Sequence, residues 1–228
     1  MIQEIDLSTG KQKQNWLDVK RYNSNWFVGG LGRAEESFFY ARSQEACKYV
    51  HFFMDTIISI GKNQVEPFAV LKDKDWISSK DLAKIIEDKK GQLGLAGLVC
   101  REISQREIAF DIHNYVEWDD YFFFRYVKKD NNYYVFHNIK TGKTRITEDI
   151  INDLVNEQPW LVSSFNCADE NGVYEVIGMF SIERYIEKLQ EDGFLKKSVD
   201  RYEELRTLPE DTNPIIFYYE FKRDEEGQ

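Results

Sequence analysis

The densest group of chemically competent side chains in this sequence is Glu117-Trp118-Asp119-Asp120. Carboxylates held close together push one pKa upward, so such a group can supply an acid and a base, or bind calcium. An indole beside carboxylates also suits a sugar, because the flat ring stacks on a pyranose while the carboxylates accept its hydroxyl hydrogens. Trp160 is a second indole that can line a ligand surface, although large rings such as Trp16, Trp26 and Trp76 more often serve the core. Neighbouring residues on a strand point to opposite faces, so Asp119 and Asp120 cannot serve one site if both lie inside a strand. A solvated loop between sheets is the plainer reading of the same residues.

Other reactive residue types form weaker patterns. His51, His113 and His137 fall in strand-like stretches without the i, i+4 spacing of a helical metal site; His113 and His137 with Asp111 as a third ligand is the one arrangement that neighbouring strands allow. Nothing in the spacing fixes a coordination geometry, so the expectation is no metal and no cofactor. Ser163-Ser164 lacks a GxSxG context, and no residue is assigned as catalytic from this pattern alone. The glycines of Val28-Gly29-Gly30-Leu31-Gly32 do not match GxGxxG and no GK[ST] follows, which reads as a loop or bulge. Cys47, Cys100 and Cys167 lie far apart, form no CxxC pair and read as buried thiols acting as small hydrophobes.

Charge and composition exclude whole classes. The net charge of −10 and the scattered Lys89-Lys90, Lys128-Lys129 and Lys196-Lys197 doublets argue against a nucleic-acid partner, which requires clustered positive charge. No run approaches the roughly 20 apolar residues of a spanning helix, and MIQEIDLSTGKQ lacks a basic-then-apolar leader pattern. The sequence therefore reads as soluble, without a signal peptide. Its 228 residues suffice for a sizeable core, and 42% apolar with 31% charged residues is an ordinary globular balance.

The elements that must position these residues are mostly strands. Aromatics make up 15% of the chain and concentrate in short runs such as Tyr121–Val127 and Tyr133–Phe136, which fit a pleated surface. The polar segment Lys128–Asn132 turns the chain between these two runs, and Thr141-Gly142-Lys143 turns it again. DLSTGKQ near the start and NIKTGKT at Asn138–Thr144 are the same kind of hairpin tip, with a looser copy at Gly61–Gln64. Repeated hairpins suggest one supersecondary unit used several times.

Further strands are expected at Ile2–Leu7, Trp26–Val28, Ser37–Ala41, Tyr49–Met54, Ile103–Val116 and Ile215–Phe221, with a hairpin joining Trp160–Phe165 to Val173–Met179 across Asp169–Gly172. Helices are expected at Ser78–Lys90, from Thr147, after Ser181 on the face Ile182, Tyr185, Ile186 and Leu189, and at Val199–Leu205. About twelve strands against about four short helices predict a mainly β body with decorating helices.

Four stretches in order resemble an uncharacterised six-bladed β-propeller family, mostly secreted or lipid-anchored proteins of gut bacteria. These are FMDTIISIGKNQVEPFAVL at Phe53–Leu71, WDDYFFFRY at Trp118–Tyr126 with the NIKTGK turn, Ile151-Asn152-Asp153-Leu154, and RYEELRTLPEDTNPIIFYYEFK at Arg201–Lys222. The resemblance implies a partial propeller of about three blades, each a four-stranded antiparallel sheet. It implies one domain over 1–228, with blades over 1–178, a helix inserted near 79–90, and a helical segment with a closing strand over 179–228. It also implies a cell-surface, periplasmic or secreted setting.

Such a half ring either pairs with a second copy or closes by another arrangement of its N-terminal strands. The function expected is a non-enzymatic module binding a carbohydrate, peptide or protein, with Trp118, Asp119, Asp120 and Trp160 facing the ligand. The alternatives are a glycan hydrolase or lyase using Glu117, Asp119 or Asp120, and a truncated relative without independent function.

Overall fold

The computed structural model describes residues 2–16, 38–40, 46–51, 53–62, 64–151, 159–160, 165–178, 209 and 214–220. Over these residues the protein is mainly β, with antiparallel sheets and two helices. The chain divides into two compact units, Met1–His113 with Arg125–Asn132, and Asn114–Phe124 with Tyr133–Gln228.

In the first unit, β1 (Ile2–Ile5) pairs with β2 (Gln12–Trp16) as a hairpin. Strands β3 (Phe38–Tyr40), β4 (Ala46–Tyr49), β5 (Thr56–Gly61) and β6 (Val65–Val70) follow as a four-stranded meander in chain order. Pro67 cannot donate to a ladder and sits on the edge strand β6, opposite Ile58, where the register shifts.

Helix α1 (Ser79–Lys89) begins as expected: the Ser78 hydroxyl accepts the Asp81 amide at 3.1 Å, and Leu82, Ile85 and Ile86 form its buried face. A second helix, α2 (Leu95–Gln105), was not expected; it takes up Ile103–Gln105, the start of the stretch read as strand, and the strand begins only at Ala109. Gly94 takes the left-handed conformation that starts it, and Val99 and Ile103 are fully buried one turn apart. Both helices close a core with Phe53, Ile77 and Phe110.

A second meander is formed by β7 (Ala109–Trp118), β8 (Tyr121–Lys128), β9 (Asn131–Asn138) and β10 (Thr144–Thr147), again in chain order. The first three of these strands contribute residues to both units. The turn between β8 and β9 is Lys129-Asp130, with φ of 53° and 60°, the pair of positive values that a type I′ hairpin requires.

The two sequence-related hairpin tips share their backbone bonds and the threonine bond, and Asp6 accepts the Ser8 amide and hydroxyl in addition. Asp6 donates to the Lys11 carbonyl at 2.9 Å as Asn138 does to that of Lys143, and Gly10 and Gly142 bond back to Asp6 and Asn138 at 2.7 and 2.8 Å. The Asp6 and Asn138 side chains each accept the amide of the following threonine, Thr9 or Thr141. Gly10 and Gly142 have φ of 66° and 70°.

The second unit also holds β11 (Ile150–Ile151) paired with β12 (Pro159–Trp160), and a three-stranded sheet in the order β13 (Cys167–Ala168), β14 (Val173–Ile177) and β15 (Ile215–Tyr219). Several expectations are corrected here. Thr147 ends β10 instead of starting a helix; its hydroxyl accepts the Asp149 amide at 3.2 Å, a local bond that imitates a helix cap, and Ile150 resumes as strand. The hairpin across Asp169–Gly172 takes Cys167–Ala168 as its first arm, while Trp160 pairs with Ile150. None of the three cysteines is the buried thiol expected: Cys167 is exposed, Cys47 and Cys100 are half-buried, and all three are free. The expected elements at 26–28, 182–189 and 199–205, the glycines of 29–32, and Ser163-Ser164 lie outside the described residues.

Candidate functional site

Glu117, Trp118, Asp119 and Asp120 come together where β7 turns into β8. Asp119 adopts φ 45°, so the two aspartates lie in a tight turn, as the loop reading of these residues has it, and strand alternation does not separate them. In a meander the β7–β8 and β9–β10 turns fall at the same end, and the Ile139 amide donates to the Asp120 carbonyl at 2.7 Å, tying one to the other. The resulting surface presents the exposed Asp120, Lys140, Thr141 and Lys143.

The side chains flanking the two aspartates are held by packing. The Tyr115 hydroxyl donates to Glu117 Oε1, and burial followed by the Glu117 charge drives the Tyr115 pKa upward, so the phenol stays a donor. The Trp118 ring is 4% exposed; it stacks on Tyr121 at 5.7 Å between centroids and meets the edge of Phe136 at 6.4 Å. Its area is therefore committed to the core, where stacking on a sugar is closed to it. The Trp160 backbone lies on β12 opposite Ile150, apart in sequence and sheet from the aspartate turn.

The histidines find other partners. His113 Nδ1 lies 2.8 Å from the Asp111 carbonyl, and Asp111 Oδ2 is 3.7 Å away, all within the buried part of the first unit. His137 Nδ1 lies 2.8 Å from Thr144 Oγ1, with its ring 4.8 Å from Phe122. Among the described residues, no group of three or more His, Cys, Asp or Glu side chains could hold a metal ion.

Three polar constructions escaped the sequence reading. Lys128 Nζ lies 2.8 Å from Asp75 and 3.3 Å from both oxygens of Asp73; the bond from Lys128 lowers the Asp75 pKa, and the bond to Asp75 raises that of Lys128. Asn114, at φ 54° within β7, donates to the Phe165 carbonyl at 2.7 Å and accepts its amide at 2.9 Å. Asp169 accepts the amides of Asn171 and Gly172 and the hydroxyls of Tyr174 and Tyr218, which lowers its pKa through the Tyr174 bond first and lifts Tyr174 to about 12. Only the last had a signal in the sequence, the DENG turn.

Fold and site thus define a mainly β protein of antiparallel meanders with a polar turn surface at one end. No family profile matches the chain, and comparison with curated proteins gives no match. Among solved structures it is similar to a candidate exported protein from Bacteroides fragilis, at 14% identity and a TM-score of 0.56, over 82% of this chain and 49% of that one. This chain spans about half the length of that neighbour. Among the described residues no helix is long and apolar enough to cross a membrane.

Proposed function

We propose that this protein is a non-enzymatic binding module of the bacterial cell envelope, built from propeller-type blades and recognising a carbohydrate or peptide at the β7–β8 and β9–β10 turns. The blade reading is supported by two four-stranded meanders in chain order and by the reuse of one hairpin tip. The envelope setting is supported by the likeness to a candidate exported protein and by the resemblance of four sequence stretches to secreted propellers.

The observation that carries the binding reading is the joined turn surface. The bond from Ile139 to Asp120 holds two turns in one geometry, so Asp120, Lys140 and Lys143 offer acceptors and donors on an ordered backbone. Glu117 is engaged by Tyr115 and Trp118 is buried, which supports recognition through the exposed turn residues rather than through an indole platform.

The test is a glycan and peptide array probed with the full chain, followed by calorimetry on each hit with Asp119→Asn and Asp120→Asn. Saturable binding weakened by either substitution, with the ligand recovered intact, is the expected result. Shortened glycan products whose formation stops in Glu117→Gln would replace this reading with that of a glycan hydrolase or lyase.

A further inference from the structure

Asn171-Gly172 is the one Asn-Gly pair in the sequence, and it ends the turn that joins β13 to β14. Packing dictates its glycine: a Cβ at 172 would lie 2.2 Å from the Tyr219 carbonyl oxygen on β15 and 3.0 Å from two atoms of the Tyr218 ring. Asn171 is exposed, whereas Gly172 is buried. The asparagine amide is thus open to water beside a backbone nitrogen that no side chain shields.

That juxtaposition has a chemistry of its own. Once hydroxide takes the Gly172 amide proton, the nitrogen can attack Asn171 Cγ; a C–N bond forms and the Cγ–Nδ2 bond breaks. Nδ2 leaves as ammonia, taking a proton from water and regenerating hydroxide. Water then opens the resulting succinimide at either carbonyl, leaving an aspartyl or an isoaspartyl residue at 171. The reaction needs the Gly172 N–H released and the Asn171 backbone free to turn its side chain onto that nitrogen.

The fold withholds both. Asp169 Oδ1 accepts the Asn171 amide at 2.8 Å and the Gly172 amide at 3.0 Å, and the Asp169 amide donates to the Gly172 carbonyl at 3.0 Å. The carboxylate is itself held, because the Tyr174 hydroxyl donates to Oδ2 and the Tyr218 hydroxyl to Oδ1. The Tyr174 bond, followed by that from the Asn171 amide, lowers the Asp169 pKa, so the group is charged at neutral pH. A negative charge set on an N–H opposes loss of its proton.

We infer that Asn171 is a deamidation site and that Asp169 is the clasp that restrains it. Opening of the clasp, rather than exposure of Asn171, sets the rate. Conversion puts a new negative charge beside Asp169, and the isoaspartyl form adds a methylene to the backbone where Gly172 packs closely on Tyr219. Modification therefore loosens the sheet of β13, β14 and β15. The inference stands whether or not the turn surface binds a ligand.

The experiment incubates the full chain at mildly alkaline pH, folded and in denaturing urea, and follows residue 171 by peptide mapping with mass spectrometry and by ammonia release. It compares the natural sequence with Asp169→Ala and Tyr174→Phe, each checked for folding by urea titration. The natural chain should convert at least about tenfold more slowly folded than unfolded, and folded Asp169→Ala should recover about tenfold, the factor that one charge-assisted bond represents. Tyr174→Phe loosens the carboxylate without removing it, so a smaller acceleration is expected; it decides the matter if the alanine variant fails to fold. Equal rates in the folded and unfolded natural chain, or no conversion at 171 in urea, would overturn the inference. So would a folded Asp169→Ala that is no faster, or, where that variant is unfolded, a Tyr174→Phe rate equal to the natural one.

Discussion

Removing the side chain of Asn114 is expected to detach the Phe165 segment from β7. The amide group makes two bonds to the backbone of Phe165, donating to its carbonyl at 2.7 Å and accepting its N–H at 2.9 Å. Phe165 is 1% exposed, with its ring against Phe123 at 4.7 Å and Tyr219 at 5.7 Å, so water does not readily replace the lost partner.

Each buried group deprived of its mate costs about 1–3 kcal/mol, and two are left, so Asn114→Gly should lose about 2–6 kcal/mol. Glycine keeps the φ of 54°, which separates the bonds from the backbone strain. Asn114→Ala adds a left-handed penalty of about 1–2 kcal/mol, partly offset by about 0.4–1 kcal/mol from the stiffer unfolded chain, and should fall below the glycine variant. Asn114→Asp keeps an acceptor for the Phe165 amide but sets a carboxylate oxygen against its carbonyl, so stability should fall while that amide stays protected.

Urea unfolding followed by amide exchange at Phe165 reads both quantities. A change under about 0.5 kcal/mol in Asn114→Gly, or unchanged protection of the Phe165 amide in that variant, would refute the reasoning.

Three further substitutions test other parts of the fold. A Cβ on Gly172 would meet the Tyr219 carbonyl oxygen at 2.2 Å and two Tyr218 ring atoms at 3.0 Å, so Gly172→Ala should destabilise by about 1–3 kcal/mol in urea unfolding. Gly10→Ala and Gly142→Ala meet nothing within 4 Å, leaving only the positive φ; each should cost about 1 kcal/mol, and markedly unequal losses would contradict the equivalence of the two tips. Lys128→Met should lower the urea midpoint by an amount that is flat near neutral pH and shrinks at both extremes. Asp75 has a lowered folded pKa, so its share is present above the ordinary value of 3.8 and lost as pH falls through the lower one. Lys128 has a raised folded pKa, so its share is present below 10.5 and lost as pH rises through the higher one. A loss that persisted undiminished in acid would assign Lys128 a packing role instead.

The strands that announced themselves did so through chemistry local to a few residues. The aromatic runs on β8 and β9 and the DLSTGK and NIKTGK tips carry their own pairing instructions, and α1 carries a serine cap with Leu82, Ile85 and Ile86 on one face. Helix α2 has no such local signal; Gly94 supplies the left-handed entry, and burial of Val99 and Ile103 in the first unit's core outweighs the low propensity of Gly97. Thr147 and Asp149 misled for the opposite reason, since a hydroxyl bonded to a nearby amide has the same sequence signature in a turn as at a helix start.

Within the candidate site, the placement of Asp119 and Asp120 in a turn was legible from residue type. The burial of Trp118 was not, because it depends on Tyr121 and Phe136 arriving from other strands. The partnerships of Asn114 with Phe165 and of Lys128 with Asp73 and Asp75 span more than fifty residues each, and no local pattern encodes them.

The most direct test of the central claim is a calorimetric titration of array-selected glycans and peptides into the full chain, with the ligand's mass measured before and after. Saturable heat, weakened by Asp120→Asn, and a ligand of unchanged mass are the expected result. A ligand cut into smaller products, or no saturable binding by any of them, would contradict it.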